Sequence, residues 1–321
     1  MSSILDGARD RRPFGGEGGR TGADFEQAVL RDGTAVIIKH VSRDGLVPRM
    51  TGRPDAFARL WSSGVFERMP QVIDHTMLAV EPSDDGWIVV MTDRSDAFLG
   101  DVRVLSRDEN RFVLGAMNEM YREFRGEMPD GACSLEQYFD VFLSWGGLQA
   151  ASEEPIIKLF IRGWELFPEV APPDVAEAMD AIHRNPAALA RELIKRDSAF
   201  IHGDLRLHNL GLTDDRVVLL DWELASYGPP AVDFAWYLII SATRIDATRE
   251  EITDDFRTIA GDDFDPVALE LAMTTALAQL GWNKALDIVE NPDPAIREQE
   301  RADLDWWIDR VRRSLETWSP V

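Results

Sequence analysis

His202-Gly203-Asp204-Leu205-Arg206-Leu207-His208-Asn209, followed after a polar interval by Val217-Val218-Leu219-Leu220-Asp221-Trp222-Glu223, is the stretch on which the reading of this chain turns. Residues 199–202 and 217–221 are short, β-rich runs on either side of the polar segment 203–215, so they are expected to form a small ribbon that holds a loop. Two carboxylates and a carboxamide at the ends of such strands make a hard, all-oxygen environment. It suits Mg2+, which keeps part of its water and shares its remaining ligands with phosphate oxygens. Phosphoryl transfer needs this set: one Asp to orient an attacking hydroxyl, and an Asn with a second Asp to hold the metal on the phosphates. Arg206, two residues beyond the first Asp, can reach the charge that spreads over the transferring group. His202 and His208 have no third soft ligand nearby, so a zinc-type site is not expected.

HGDLRLHN, with Asp221 seventeen residues after Asp204 in LLDWELASYGPPAVDFA, resembles the catalytic and metal-binding segments of the aminoglycoside phosphotransferase and choline kinase group. These are small-molecule kinases with a protein-kinase-like fold, and the resemblance covers residues 200–238. It implies Asp204 as catalytic base, Asn209 and Asp221 as Mg2+ ligands, His202 as a scaffold residue of the loop and Asp233 as an internal brace. Arg206 stands where such kinases more usually carry His or Lys. Glu223, just past the second Asp, either faces the acceptor or is a buried hydrogen-bonding residue.

Outward from this stretch the chain divides. Turn signals at Arg31-Asp32-Gly33 and Ser83-Asp84-Asp85-Gly86 precede the short apolar runs 34–41 and 87–91, which predicts a small, mostly antiparallel sheet. A helix is expected to interrupt it over residues 53–67, where Pro54 suits a first turn and Phe57, Leu60 and Trp61 recur at helical spacing. From residue 95 onward helical stripes take over: Phe112, Ala116, Met117, Met120, Tyr121 and Phe124 share one face, and residues 301–318 are amphipathic. The expected architecture is α+β and two-lobed. An N-terminal nucleotide-binding lobe with a small antiparallel β-sheet spans residues 1–92, and a larger, mainly helical lobe for catalysis and substrate binding spans residues 93–321.

Lys39 is one of only four lysines and sits on the same strand face as Ile37 and Val41, where a solvated ammonium would be out of place. A strand-borne ammonium can neutralise the α- and β-phosphates of ATP, so Lys39 is read as a nucleotide contact. Its acidic partner is left open between Asp55 and Glu67. Phosphate also needs backbone donors, and Gly15-Gly16-Glu17-Gly18-Gly19-Arg20-Thr21-Gly22 offers a flexible loop, with Gly18, Gly19 and Thr21 as candidate contacts. Met91 and Asp93, where the lobes join, are the candidates for the adenine.

Composition bounds the rest. With 45% apolar and 28% charged residues in 321, the chain is that of a folded globular protein. Its 34 basic and 57 acidic residues give a net charge of −23, which argues against nucleic-acid and anionic-membrane partners. Cys133 is the only cysteine, excluding an intramolecular disulfide. Residues 1–14 have no apolar core of a leader, and no apolar run approaches the ~20 residues of a membrane span, so a cytoplasmic location is expected.

The expected function is transfer of the γ-phosphoryl group of ATP, with Mg2+, to a hydroxyl of a small molecule, aminoglycoside-like or another cationic or sugar acceptor. Two alternatives share parts of this pattern. A catalytically silent nucleotide-binding scaffold would have the same fold, yet base, metal donors and lysine all have candidates here. A P-loop hydrolase is nearly spelled by residues 14–21, but Phe14 and Arg20 replace the first glycine and the lysine, and residues 6–12 are too charged for a buried strand. A protein kinase is disfavoured because neither a Phe-Gly pair nor an Ala-Pro-Glu segment follows Asp221.

Overall fold

The run of β-formers around Lys39 folds as the central strand of a five-stranded antiparallel sheet. In the computed structural model, which describes residues 3–14, 24–100, 103–151 and 153–320, β1 (Arg9–Pro13), β2 (Asp24–Val29) and β3 (Ala35–Ser42) come first. The helices α1 (Leu46–Thr51) and α2 (Ala56–Ser62), a 3-10 turn at Val65–Arg68 and the short strand β4 (Ile73–Asp74) follow. β5 (Met77–Pro82) and β6 (Gly86–Thr92) complete the sheet in the order β1-β2-β3-β6-β5.

β3 is covered on both faces. Val36 and Ile38 pack with Ala28, Leu30 and Val90, whereas Ile37 and Val41 join the main core with Phe57, Val89 and Met91. Strand alternation puts Lys39 on that second side, and it is only 4% exposed. The helix expected over residues 53–67 is shorter: α2 stops at Ser62, because Ser62-Ser63-Gly64 are poor helix formers. β1 is a fully exposed edge strand of an antiparallel sheet, which rules out the P-loop reading, since that loop must leave a buried strand.

The helical part opens with β7 (Leu105–Ser106) and α3 (Arg107–Glu123), whose start is fixed by a capping box between Ser106 and Glu109. Next come β8 (Cys133–Ser134), α4 (Leu135–Phe142), α5 (Trp145–Ala150), α6 (Pro155–Val170), α7 (Pro173–Arg184) and α8 (Pro186–Leu193). The motif segment holds β9 (Ala199–Ile201), β10 (Leu210–Leu212), β11 (Val217–Leu219) and β12 (Ser226–Gly228), with 3-10 turns at Leu207–Asn209 and Trp222–Leu224. The chain continues through α9 (Pro230–Ser241), β13 (Ile245–Asp246), α10 (Arg249–Ala260), α11 (Pro266–Glu290) and α12 (Pro294–Thr317). Buried along its length, α11 packs on α6, α9 and α12 and forms the centre of this part. Among the described residues no helix is long and apolar enough to cross a membrane.

The ribbon expected between residues 199–202 and 217–221 does not form. β9 pairs with β12, which pairs in turn with β8. β11 runs antiparallel to β10 and parallel to β4. Strands of three residues carry too little pattern to select a partner on their own. The strand that leads to Asp221 is therefore hydrogen-bonded to a segment from the N-terminal side of the sheet, Val217 opposite Ile73.

Candidate active site

The loop after β9 is held from behind by one buried carboxylate. Asp233, in the first turn of α9, accepts hydrogen bonds from the amides of His202 and Gly203, both at 2.7 Å, and from the Tyr121 hydroxyl at 3.2 Å. Burial pushes its pKa up to about 6 against the pull of those donors. Gly203 sits at φ +80°, and a Cβ there would lie 2.0 Å from the Leu224 carbonyl oxygen, so the loop crosses the segment after Asp221 where only glycine fits.

His202 ties the same two segments together. Its Nδ1 accepts from the Asp204 amide at 3.2 Å, so Nε2 carries the proton and donates to the Leu220 carbonyl at 2.9 Å. Burial lowers its pKa to about 4, and the neutral ring packs on Trp222. These contacts are those of a scaffold.

Asp204 presents its carboxylate among three donors. Trp236 Nε1 donates to Oδ1 at 2.9 Å, Asn209 Nδ2 donates to Oδ2 at 2.8 Å, and Arg206 Nε lies 3.2 Å from Oδ2. Burial raises the Asp204 pKa to about 6, although the Arg206 charge and the two hydrogen bonds pull it down. Asn209 also donates to the Asp204 carbonyl at 2.9 Å. Both bonds use its amide nitrogen, which leaves the carboxamide oxygen to serve a cation.

Lys39 reaches this cluster from the sheet. Its Nζ lies 2.9 Å from Asp221 Oδ1 and 3.1 Å from Glu223 Oε2. Burial works against its charge, but the two carboxylates outweigh that and hold its pKa above the ordinary lysine value. Asp221 responds in kind: burial raises its pKa, yet Lys39, with Arg206 and His202, brings it below the ordinary carboxylate value. Asp221 itself adopts φ +62°, a left-handed conformation uncommon for a residue other than glycine.

Four of the residues singled out from the sequence thus converge, namely Lys39, Asp204, Asn209 and Asp221, and Arg206 flanks them. Neither acid considered for Lys39 is its partner. The Asp55 carboxylate takes Arg43 and the Trp87 indole, Glu67 is exposed in the 3-10 turn, and the ring of Phe57 faces the ammonium from α2 at 5.4 Å. Glu223 fills that role, so it points to Lys39 and not toward an acceptor. Met91 is buried in β6 opposite Ile37 and Met77. The Asp93 amide is engaged by the Ala35 carbonyl at 2.9 Å, and its carboxylate by Gln27 and Ser95. Gly18, Gly19 and Thr21 lie outside the described residues. Sequence reading missed Trp236, although its place one helical turn after Asp233 was a usable signal.

The donor set fits a hard cation shared with phosphate. Among the described residues no group of three His, Cys, Asp or Glu side chains converges as a self-sufficient metal cage. Asn209 and Asp221 supply two oxygen donors, the number Mg2+ takes from a protein when water and phosphate complete its shell.

Residues 160–270 match the model of the phosphotransferase enzyme family, a span that includes all of residues 200–238 on which the resemblance was read. No curated protein sequence matches significantly. The chain is similar in structure to the choline kinase LicA from Streptococcus pneumoniae, with 14% identity, 98% of this chain and 95% of that one covered, and a TM-score of 0.53. LicA in complex with AMP gives 15% identity, coverage of 96% and 91%, and a TM-score of 0.50. A choline/ethanolamine kinase family protein from Mesorhizobium loti gives 13% identity, coverage of 97% and 93%, and a TM-score of 0.50. The fold is that of these solved structures, and the motif segment lies within the part similar to the phosphotransferase enzyme family.

Proposed function

We propose that the protein transfers the γ-phosphoryl group of ATP to a hydroxyl of a small molecule. The observation that carries this reading is the meeting of Lys39 from β3, Asp204 and Asn209 from the loop after β9, and Asp221 after β11, three separate segments, at one cluster. Asp204 acts as the base: Oδ2 accepts from Asn209 and faces the Arg206 cation, which disfavours a proton there, whereas Oδ1 accepts from Trp236 alone and keeps a lone pair for the acceptor proton. That proton passes to Oδ1 as the acceptor oxygen bonds the γ-phosphorus. The bond from phosphorus to the β,γ-bridging oxygen breaks, and its electron pair leaves with ADP.

Mg2+ bound through Asn209 and Asp221 would neutralise charge on the phosphates and align them. Lys39 is released from Asp221 to the α- and β-phosphates while Glu223 keeps it charged and oriented. Arg206, beside the base, balances the negative charge gathered there. The loop of Gly18, Gly19 and Thr21 would cover the phosphates, and the stretch from Met91 to Asp93 would border the adenine, between a nucleotide-binding lobe over residues 1–92 and a catalytic lobe over residues 93–321. A cytoplasmic setting, where ATP and magnesium are supplied, suits this chemistry. The acceptor class is a hydroxylated small molecule, with cationic ones favoured by the net charge of −23. Nothing in the cluster favours a silent scaffold, because no member of the set is missing.

ADP release with ATP–Mg2+ and a panel of hydroxylated cations and sugars tests the reading. Asp204→Asn is expected to lower turnover by about 10²- to 10⁴-fold with ATP affinity retained, the loss typical of a missing general base. Asp221→Ala is expected to abolish the Mg2+ dependence of ATP binding. Undiminished turnover in Asp204→Asn removes Asp204 from the base role, and an unchanged metal titration in Asp221→Ala removes the metal assignment.

A further inference from the structure

We propose that Trp236 is a positioning residue for the base, its indole N–H fixing the rotation of the Asp204 carboxylate so that one oxygen faces the acceptor; this rests on the reading of Asp204 given above. Trp236 is buried, and its Nε1 donates to Asp204 Oδ1 at 2.9 Å. An indole nitrogen can only donate, so the contact demands an oxygen lone pair and is satisfied by the carboxylate whatever its orientation partner does. The carboxylate would otherwise be held on one side alone, through Oδ2 by Asn209 and Arg206. With both oxygens held it cannot turn about its Cβ–Cγ bond. Each oxygen accepts one hydrogen bond, Oδ1 from Trp236 and Oδ2 from Asn209, and the Arg206 guanidinium lies on the Oδ2 side, so Oδ1 is the oxygen with a lone pair away from that cation.

The placement of Trp236 explains why the contact is rigid. Asp233 and Trp236 are three residues apart on α9, and so share a face. Asp233 grips the amides of His202 and Gly203, and Trp236 grips the side chain of Asp204. One turn of one helix therefore holds three consecutive residues of the loop. The indole is itself set by Phe142 of α4, with ring centroids 5.6 Å apart. A phenylalanine at 236 would keep the packing and lose the donor.

Two measurements test this. In Trp236→Phe, ADP release from ATP–Mg2+, with the acceptor found in the panel and with water as acceptor, is expected to show kcat lowered about 10-fold or more while KM for ATP is unchanged, as for loss of one hydrogen bond to a charged group. Unchanged kcat overturns the proposal, and so does an equal loss of kcat and ATP affinity with a lowered Tm, which would mark a packing residue. The second measurement does not depend on turnover. The indole Nε1–H resonance of Trp236, identified by its absence in Trp236→Phe, is expected to shift and to exchange faster with solvent in Asp204→Ala. An unmoved resonance overturns the proposal. A wild-type protein that binds no ATP and releases no ADP overturns the kinase reading and this catalytic role with it, and is told apart because the resonance still responds to Asp204→Ala.

Discussion

Lys39 lies on a strand face whose other residues, Ala35, Ile37 and Val41, are apolar, and an ammonium survives burial there only among carboxylates. Its importance was legible for that reason. Its partner was not, because the kinase pattern places that acid on a helix and here the helix turns Phe57 toward the lysine. Glu223 is 184 positions away in sequence, and only the folded chain brings it near. A metal that claims Asp221 leaves Glu223 as the one carboxylate still on Lys39. The two side chains should therefore depend on each other. Lys39→Met and Glu223→Gln are each expected to destabilise the protein in urea, and the double variant to be less destabilised than their sum by about 1–3 kcal/mol. Strict additivity would mean that the pair is not coupled.

At the level of elements, long patterns were readable and short ones were not. The alternation of β3 and the stripes of α3 and α12 each extend over enough residues to fix a face. β9 and β11 have three residues each, and their partners are set by what flanks them in space: β12 for one, β10 and β4 for the other. The seat of α2 was equally invisible. Gly131, at φ +95°, lies so close to that helix that a Cβ would stand 2.3 Å from the Leu60 nitrogen and 2.8 Å from the Ala56 carbonyl oxygen. The backbone of α2 thus rests directly on the loop that leads into β8. Gly131→Ala is expected to destabilise the fold by about 3 kcal/mol or more, from an unfavourable φ and an unrelieved overlap together. Urea unfolding would register it, and a loss below about 1 kcal/mol would mean that α2 is free to shift away.

Charge and titration belong to the whole molecule. Several of the acidic residues clustered between 254 and 265 are neutralised internally: Asp255 by Arg107 and Arg111, Asp263 by Arg122 and Arg125, and Asp265 by Arg196. The net charge therefore overstates what a substrate would meet at that cluster. Buried titratable groups set the acid response, with two opposing signs. Asp204 and Asp233 have pKa values raised to about 6, so the folded state holds their protons more tightly than the unfolded chain, and they favour folding increasingly as pH falls from about 6 toward about 4. His183 and His202 are lowered to about 4 by burial and stay neutral in the folded state, while the unfolded chain takes up protons below about 6.5, so they disfavour folding over nearly the same window.

The two pairs largely offset each other, so the wild-type curve alone would hide both. His183 separates them, since it lies away from the cluster with its ring nitrogens 2.7 Å from the Met179 carbonyl and 3.0 Å from the Ala278 carbonyl. His183→Gln removes one histidine contribution and leaves both aspartates in place, so the aspartates cancel in the difference between variant and wild type. The stability deficit of His183→Gln is expected to shrink by about 2 kcal/mol between about pH 7.5 and about pH 5, the linkage energy of one imidazole that only the unfolded chain can protonate. Urea denaturation of both proteins at the two pH values measures it. A deficit that instead grows as pH falls would mean that the folded protein already carries His183 as an imidazolium bonded to both carbonyls at once, and an unchanged deficit that His183 titrates alike in the folded and unfolded chain.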